Sequence, residues 1–220
     1  MIKCCIFDLD GTVLDTLGTI TYYVNVALER FGIRTISEEE CKYFVGEGAR
    51  VLISRALKSR GVYTDELARE VYDFYDRAYK SCPSYLTKPF DGISEMLTSL
   101  KERGIKLALL SNKQHNVTYD VIEYFFPGIF DTVVGGKEGV PLKPDPTAAL
   151  SIMRELSVDA ENVAYIGDTS TDMKTGKNIN AKLTIGVCWG FRDKDELWAN
   201  GADRVVSEVF DIYREVVSVD

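Results

Sequence analysis

Two carboxylates stand two residues apart in Phe7-Asp8-Leu9-Asp10-Gly11-Thr12, where the first apolar run of the chain ends. Like charges this close repel, which raises a pKa or recruits a cation. The alternative is a plain Asp-x-Asp-Gly turn, in which Gly11 lets the backbone turn away tightly. A calcium loop of the EF-hand type is excluded, because the twelfth position counted from Asp8 is Thr19 rather than Glu. Three further segments carry polar groups in comparable settings. Ser111-Asn112-Lys113 follows a second apolar run, and Lys143-Pro144-Asp145-Pro146 puts a lysine just ahead of a helix start, with Asp145 as the expected cap and Pro146 first in the helix. Gly167-Asp168-Thr169-Ser170-Thr171-Asp172 ends a later run with two more acids. Singly, each fits a strand-end turn, a surface lysine or an acidic helix start favoured by the helix dipole. All four in order, each at a strand end or before a helix, point to one site.

The elements that must position these groups follow from the apolar pattern. Short β-rich runs recur at 3–7, 105–110, 130–134, 163–166, 183–187 and 204–206. They are continuous rather than alternating, as suits strands buried on both faces of a parallel sheet. Helical segments at 93–103, 117–125, 146–156, 171–178 and 208–217 lie between or after them. The expected core is therefore α/β, a Rossmann-like parallel sheet with helices on both faces and right-handed crossovers. In such sheets ligands bind outside the carboxyl ends of the strands, where Asp8, Asp10, Ser111 and Asp168 would all fall. The interval 16–83 breaks the alternation and reads as helix throughout. Ser37-Glu38-Glu39-Glu40 has the form of a capping box, and Tyr72, Tyr75 and Tyr79 share one helix face, a core stripe. The expected organisation is an α/β core of 1–15 and 84–220 with an inserted all-helical cap of 16–83.

The composition bounds the function classes. The 220 residues carry 26 Lys+Arg against 34 Asp+Glu, a net charge of −8, with 45% hydrophobic and 27% charged residues. An acidic chain lacks the clustered Lys and Arg of a nucleic-acid surface, although a small anion can still be held by a local positive site. No apolar stretch approaches the roughly 20 residues that span a bilayer. The first residues meet acid by Asp8, and no secretory signal is expected. Cys4, Cys5, Cys41, Cys82 and Cys188 form an odd, scattered set without metal-finger spacing, read as reduced thiols of a cytoplasmic protein. Burial is the expected fate of Cys4 and Cys5. His115 is expected to start a helix, partly exposed, and Trp189 to pack.

Together, Asp8-Leu9-Asp10-Gly11-Thr12, Ser111, Lys143 and the Gly167-to-Asp172 segment resemble the four motifs of the haloacid dehalogenase superfamily of phosphohydrolases. Val45-Gly46-Glu47-Gly48-Ala49, Arg55-Ala56-Leu57, Ser111-Asn112-Lys113 and Gly186-Val187-Cys188-Trp189-Gly190-Phe191 are similar to its bacterial phosphoglycolate phosphatase branch. The resemblance implies that Asp8 is the nucleophile, forming an aspartyl phosphate. It implies that Mg²⁺ is held by the Asp8 carboxylate, the Asp10 carbonyl and Asp168, with Asp172 either a further ligand through water or the acid that orients Lys143. Asp10 would protonate the leaving alkoxide and then activate water, a role a dehalogenase does not need because halide leaves without a proton. Gly11, Ser111 and the Asn112 backbone N–H would hold the phosphoryl group, and Lys143 would neutralise charge. The helical cap would close over the site, its Gly46-Glu47-Gly48 loop either reaching the leaving group or serving as a plain interhelical turn. Glu47 would repel a carboxylated substrate, whereas Arg50 could bind its carboxylate through a bidentate fork. The expected substrate is a small anionic phosphate ester, phosphoglycolate first. Alternatives are a nucleotide, sugar-phosphate or pyrophosphate phosphatase or, in another class, a non-catalytic phosphate-sensing scaffold. The chain is expected as a monomer or homodimer.

Overall fold

The computed structural model describes residues 1–219, and the chain forms two compact units, Met1–Asp15 with Pro89 onward, and Thr16–Lys88. The first unit begins with strand β1 (Cys4–Phe7) and the two-residue β2 (Leu14–Asp15). The second unit follows as four helices, α1 (Leu17–Arg30), α2 (Glu38–Phe44), α3 (Ala49–Ser59) and α4 (Asp65–Ser81). The chain returns through β3 (Lys88–Pro89), α5 (Ile93–Glu102), β4 (Lys106–Gln114), α6 (His115–Phe125) and β5 (Thr132–Gly136). It continues with α7 (Thr147–Glu155), β6 (Val163–Gly167), α8 (Ser170–Asn178), β7 (Leu183–Val187), α9 (Lys194–Ala199), β8 (Arg204–Val206) and α10 (Val209–Ser218).

Six strands make one sheet in the order β5-β4-β1-β6-β7-β8, and all its pairs are parallel. Cys4 and Ile6 of β1 join Ala108, Leu110, Val163 and Tyr165 in one apolar cluster with Ala149, Ile152 and Met153 of α7. The two-residue period of a strand turns Cys5, Phe7, Leu107 and Leu109 to the opposite face, where they are equally buried. Burial on both faces is why these strands read as continuous apolar runs. Each fully buried Leu, Ile or Phe contributes about 1.5–3 kcal/mol of transfer free energy.

The helical unit has its own core. Tyr72, Tyr75 and Tyr79 of α4 are buried, and the Tyr79 ring lies 5.1 Å from that of Tyr23 on α1. The stripe is packing, as the spacing predicts. Ser37 and Glu40 form the expected capping box at the start of α2. The Tyr23 hydroxyl donates to the Cys82 carbonyl at 3.0 Å, and the Thr19 and Thr87 hydroxyls meet at 2.7 Å. The second bond ties Thr87 to α1, and the helical unit runs to Lys88, past the Cys82-Pro83 punctuation.

Some elements depart from the pattern. β4 runs four residues past its apolar run, and after a register shift Gln114 pairs with Gly136. Helix α7 starts at Thr147 with Pro146 at the cap position, although the Asp145 carboxylate still accepts the Thr147 N–H at 2.9 Å. Helix α9, with Leu197 its one buried residue, is too short to show a period.

Candidate active site

The sheet order places β1 between β4 and β6, so the carboxyl ends of these three strands converge. Asp8 is the first residue beyond β1, and its N–H donates to the Ile166 carbonyl of β6 at 2.9 Å. The chain then turns tightly, with the N–H groups of Thr12, Val13 and Leu14 all directed at the Leu9 carbonyl. Gly11 sits in this turn at φ +83°, and a Cβ there would stand 2.4 Å from Asp168 Oδ2. Glycine is required at that position by backbone conformation and by the close approach of a carboxylate.

Lys143 is the centre of the charge cluster. Its Nζ donates to Asp8 Oδ1 at 2.7 Å, to Asp172 Oδ1 at 2.7 Å and to the Leu110 carbonyl at 3.0 Å. All three donors of the ammonium are thereby used, and the residue is buried. Its backbone is clamped by Asn112, whose Oδ1 accepts the Lys143 N–H at 2.8 Å and whose Nδ2 donates to the Lys143 carbonyl at 3.1 Å. Asp172 is equally committed: Oδ2 accepts from the Thr169 hydroxyl at 2.6 Å and the Thr169 N–H at 3.1 Å. That pair is a capping box at the start of α8. Asp168 accepts from the Thr12 hydroxyl at 3.1 Å and from the Phe191 N–H at 2.7 Å. Trp189 packs beside them, its Nε1 donating to the Thr12 carbonyl at 3.0 Å. A Cβ on Gly190 would fall 2.4 Å from both Asp168 Cβ and the Gly11 carbonyl oxygen. The loop after β7 therefore closes on Asp168 because residue 190 has no side chain.

Asp8, Asp168 and Asp172 each bring a carboxylate oxygen within 4.8 Å of the others, all three buried. Burial pushes the Asp8 carboxyl up to about 7, helped by Asp172 and opposed by Lys143. Burial, with Asp172 and Asp8 adding, holds Asp168 well above the carboxylate range. Burial alone would lower Lys143, but Asp172 and Asp8 outweigh it and keep the ammonium well above its ordinary value. The pocket thus has more buried negative charge than one ammonium balances, which is the electrostatic profile of a cation site.

Asp10 lies beside this cluster, and Lys113 Nζ donates to its two oxygens at 2.7 and 3.0 Å. Ser111 is buried at the end of β4, where its Oγ accepts the Lys113 N–H at 3.1 Å. The structure thus brings Asp8, Asp10, Gly11, Ser111, Asn112, Lys143, Asp168 and Asp172 to one end of the sheet. Arg50 belongs to the helical unit, where its guanidinium lies 4.0 Å from the centre of the Tyr72 ring. It borders a cleft of about 850 Å³ between α3 and α4 with Arg55, Lys58 and Arg69. Glu47 is paired with Arg55, so its charge is not left unbalanced. His115 starts α6 and its Nδ1 accepts the Gly135 N–H at 3.2 Å, a structural pin. Sequence reasoning missed the side-chain work of Thr12, Thr169 and Asn112 and the contact of Lys113 with Asp10. For Lys113 a signal existed, an ammonium two residues after Ser111 at the same strand end.

Residues 5–186 match the family model described as haloacid dehalogenase-like hydrolase. The chain is similar to the phosphoglycolate phosphatase of Aquifex aeolicus, at 30% identity over 86% of each chain. It is also similar to that of Psychrobacter arcticus, at 32% identity over 84% of this chain and 83% of the relative. A crystal structure of a candidate phosphoglycolate phosphatase from Lactobacillus delbrueckii superposes with a TM-score of 0.93 at 31% identity, covering 97% of this chain and 98% of that one. By motif, fold and relatives alike, the chain belongs to the haloacid dehalogenase-like hydrolase family and is a phosphatase of that family.

Proposed function

We propose that the protein is a Mg²⁺-dependent, cytoplasmic phosphatase that hydrolyses 2-phosphoglycolate through an aspartyl phosphate on Asp8. One observation carries the reaction: a buried ammonium, Lys143, held between Asp8 and Asp172 beside a second acid, Asp10. The substrate follows the relatives, which are phosphoglycolate phosphatases. The five free thiols fit a reducing compartment, and among the described residues no helix is long and apolar enough to cross a membrane.

The donor set fits Mg²⁺, since the converging groups are oxygen donors in a buried acidic cluster. The residues that would hold it are Asp8, Asp168 and the Asp10 backbone carbonyl. Asp172 has both oxygens taken by Lys143 and Thr169, which supports its reading as the residue that orients Lys143. When bound, Mg²⁺ offsets the repulsion between the Asp8 carboxylate and the phosphate dianion.

Asp8 attacks phosphorus as the ester P–O bond breaks, and Asp10 gives its proton to the leaving alkoxide. Asp10 then takes a proton from the water that attacks the same phosphorus, which returns Asp8 and releases inorganic phosphate. Ser111 and the backbone N–H of Asn112 bind the equatorial oxygens, and Lys143 offsets charge on the nucleophile. Arg50 lies over the Tyr72 ring in the helical unit's own cleft; Arg50→Ala with an unchanged KM for phosphoglycolate removes it from substrate binding.

Mg²⁺-dependent phosphate release over phosphoglycolate, nucleoside monophosphates, sugar phosphates and pyrophosphate tests the whole reading. A preference for phosphoglycolate of about a hundredfold or more in kcat/KM supports it. Level activity across the esters overturns the substrate assignment, and no release from any of them overturns the function.

A further inference from the structure

Lys113 is outside the four motifs, yet it forms an ion pair with Asp10. Its backbone is fixed from both sides: its N–H donates to Ser111 Oγ at 3.1 Å, and its carbonyl accepts the Thr118 hydroxyl at 3.1 Å. The side chain then runs to Asp10 and bonds both carboxylate oxygens, with only about a tenth of its surface exposed. The other ammonium of the site, Lys143, is fully committed to Asp8, Asp172 and the Leu110 carbonyl. Lys113 is thus the ammonium on the leaving-group side, borne by the same unit as the nucleophile.

Reaching the ester oxygen competes with the two bonds that Lys113 makes to Asp10. A general acid must come within about 2.6–3.2 Å of the oxygen it protonates. The ammonium one carboxylate further on is then a near neighbour of any anion attached close to that oxygen. In phosphoglycolate the carboxylate is two bonds from the ester oxygen, and an ammonium that swaps one carboxylate for another conserves its charge-assisted bond.

We propose that Lys113 is a specificity residue that leaves Asp10 for the carboxylate of the substrate, so that carboxylate recognition and release of Asp10 are one event. The inference rests on the proposed role of Asp10 and on a carboxylated substrate. A neutral leaving group of the same size leaves Lys113 on Asp10, and its ester is a poor substrate because the acid stays engaged. Hydrolysis of such esters retains only turnover that occurs while the Lys113–Asp10 bond is transiently open.

The test compares phosphoglycolate with ethyl phosphate, in which a methyl group replaces the carboxylate, in the wild type, Lys113→Met and Lys113→Arg. Binding of Mg²⁺ followed by thermal shift confirms that each variant is folded. The expected wild type prefers phosphoglycolate by a hundredfold or more in kcat/KM. Lys113→Met lowers kcat/KM for phosphoglycolate by a hundredfold or more, mostly through KM, and raises that for ethyl phosphate, because nothing then holds Asp10. Lys113→Arg restores part of the selectivity. Equal losses on both esters, with the selectivity ratio intact, overturn the proposal while leaving the phosphoglycolate assignment standing. A wild type without the preference overturns both.

Discussion

Lys143 Nζ donates to Asp8 Oδ1 across 2.7 Å inside a buried pocket. The residues are 135 apart in sequence, and each is useful only if the other is held. Asp8 unpaired would be a costly buried carboxylate, and Lys143 unpaired a costly buried ammonium. Asp172 and the Asn112 clamp fix the lysine so that its charge lies beside the Asp8 carboxylate.

Removing the ammonium should damage both stability and rate. Lys143→Met strands carboxylates in the pocket, and breaking a buried pair in this way costs about 3–5 kcal/mol, measured by denaturant unfolding in EDTA. The rate constant kcat should fall by about 10²–10³, the usual loss when one preorganised electrostatic donor is deleted. Full stability in that variant would show that the cluster is solvated.

Metal affinity should depend on pH with a defined sign. The Asp8 carboxyl is raised from 3.8 to about 7 by burial first and by Asp172 second. Between those values the folded protein keeps a proton that the unfolded chain has released, so stability in EDTA falls as pH rises through this window. Mg²⁺ displaces that proton, and its affinity should climb about tenfold per pH unit up to about 7 for one displaced proton. Thermal shift with and without Mg²⁺ at several pH values measures it. A flat dependence would contradict the coupling of Asp8 to the metal.

Gly190→Ala should act on Asp168 from a position outside the four motifs. The new Cβ would meet Asp168 Cβ and the Gly11 carbonyl oxygen at 2.4 Å, and overpacking of this kind costs about 1–3 kcal/mol. Weaker Mg²⁺ binding should accompany the lost stability, because Asp168 must move. Isothermal titration with Mg²⁺ reads the effect, and unchanged affinity would mean that Asp168 is not a ligand.

Asn112→Ala should loosen Lys143 through its backbone. Two hydrogen bonds vanish and a buried N–H loses its acceptor, worth about 1–3 kcal/mol. The expected signature is a kcat reduced by one to two orders of magnitude with Mg²⁺ affinity preserved.

The fold was legible because strands buried on both faces must be apolar throughout, as β1, β6 and β7 are buried along their whole length. The candidate site was legible because its residues each stand at a strand end or ahead of a helix, and the sheet order brings those strand ends together. The hidden part consists of bonds between segments far apart in sequence, such as Thr12 with Asp168 or Lys143 with Asn112. No local period encodes those partners. The Thr169–Asp172 capping box was in principle visible, but its acid also serves Lys143, and that double duty is a property of packing. Likewise β4 extends past its apolar run because Gln114 finds a partner on β5, which sequence pattern cannot announce.

The most direct test of the account is to acid-quench the enzyme during turnover of phosphoglycolate with Mg²⁺, reduce it with borohydride and map the modified residue by mass spectrometry. An aspartyl phosphate on Asp8 is converted by this treatment to homoserine at position 8, and that conversion should be absent without substrate and in Asp8→Asn. Turnover that proceeds with Asp8 unmodified in every quenched sample, or modification at another carboxylate, would contradict Asp8 as the nucleophile.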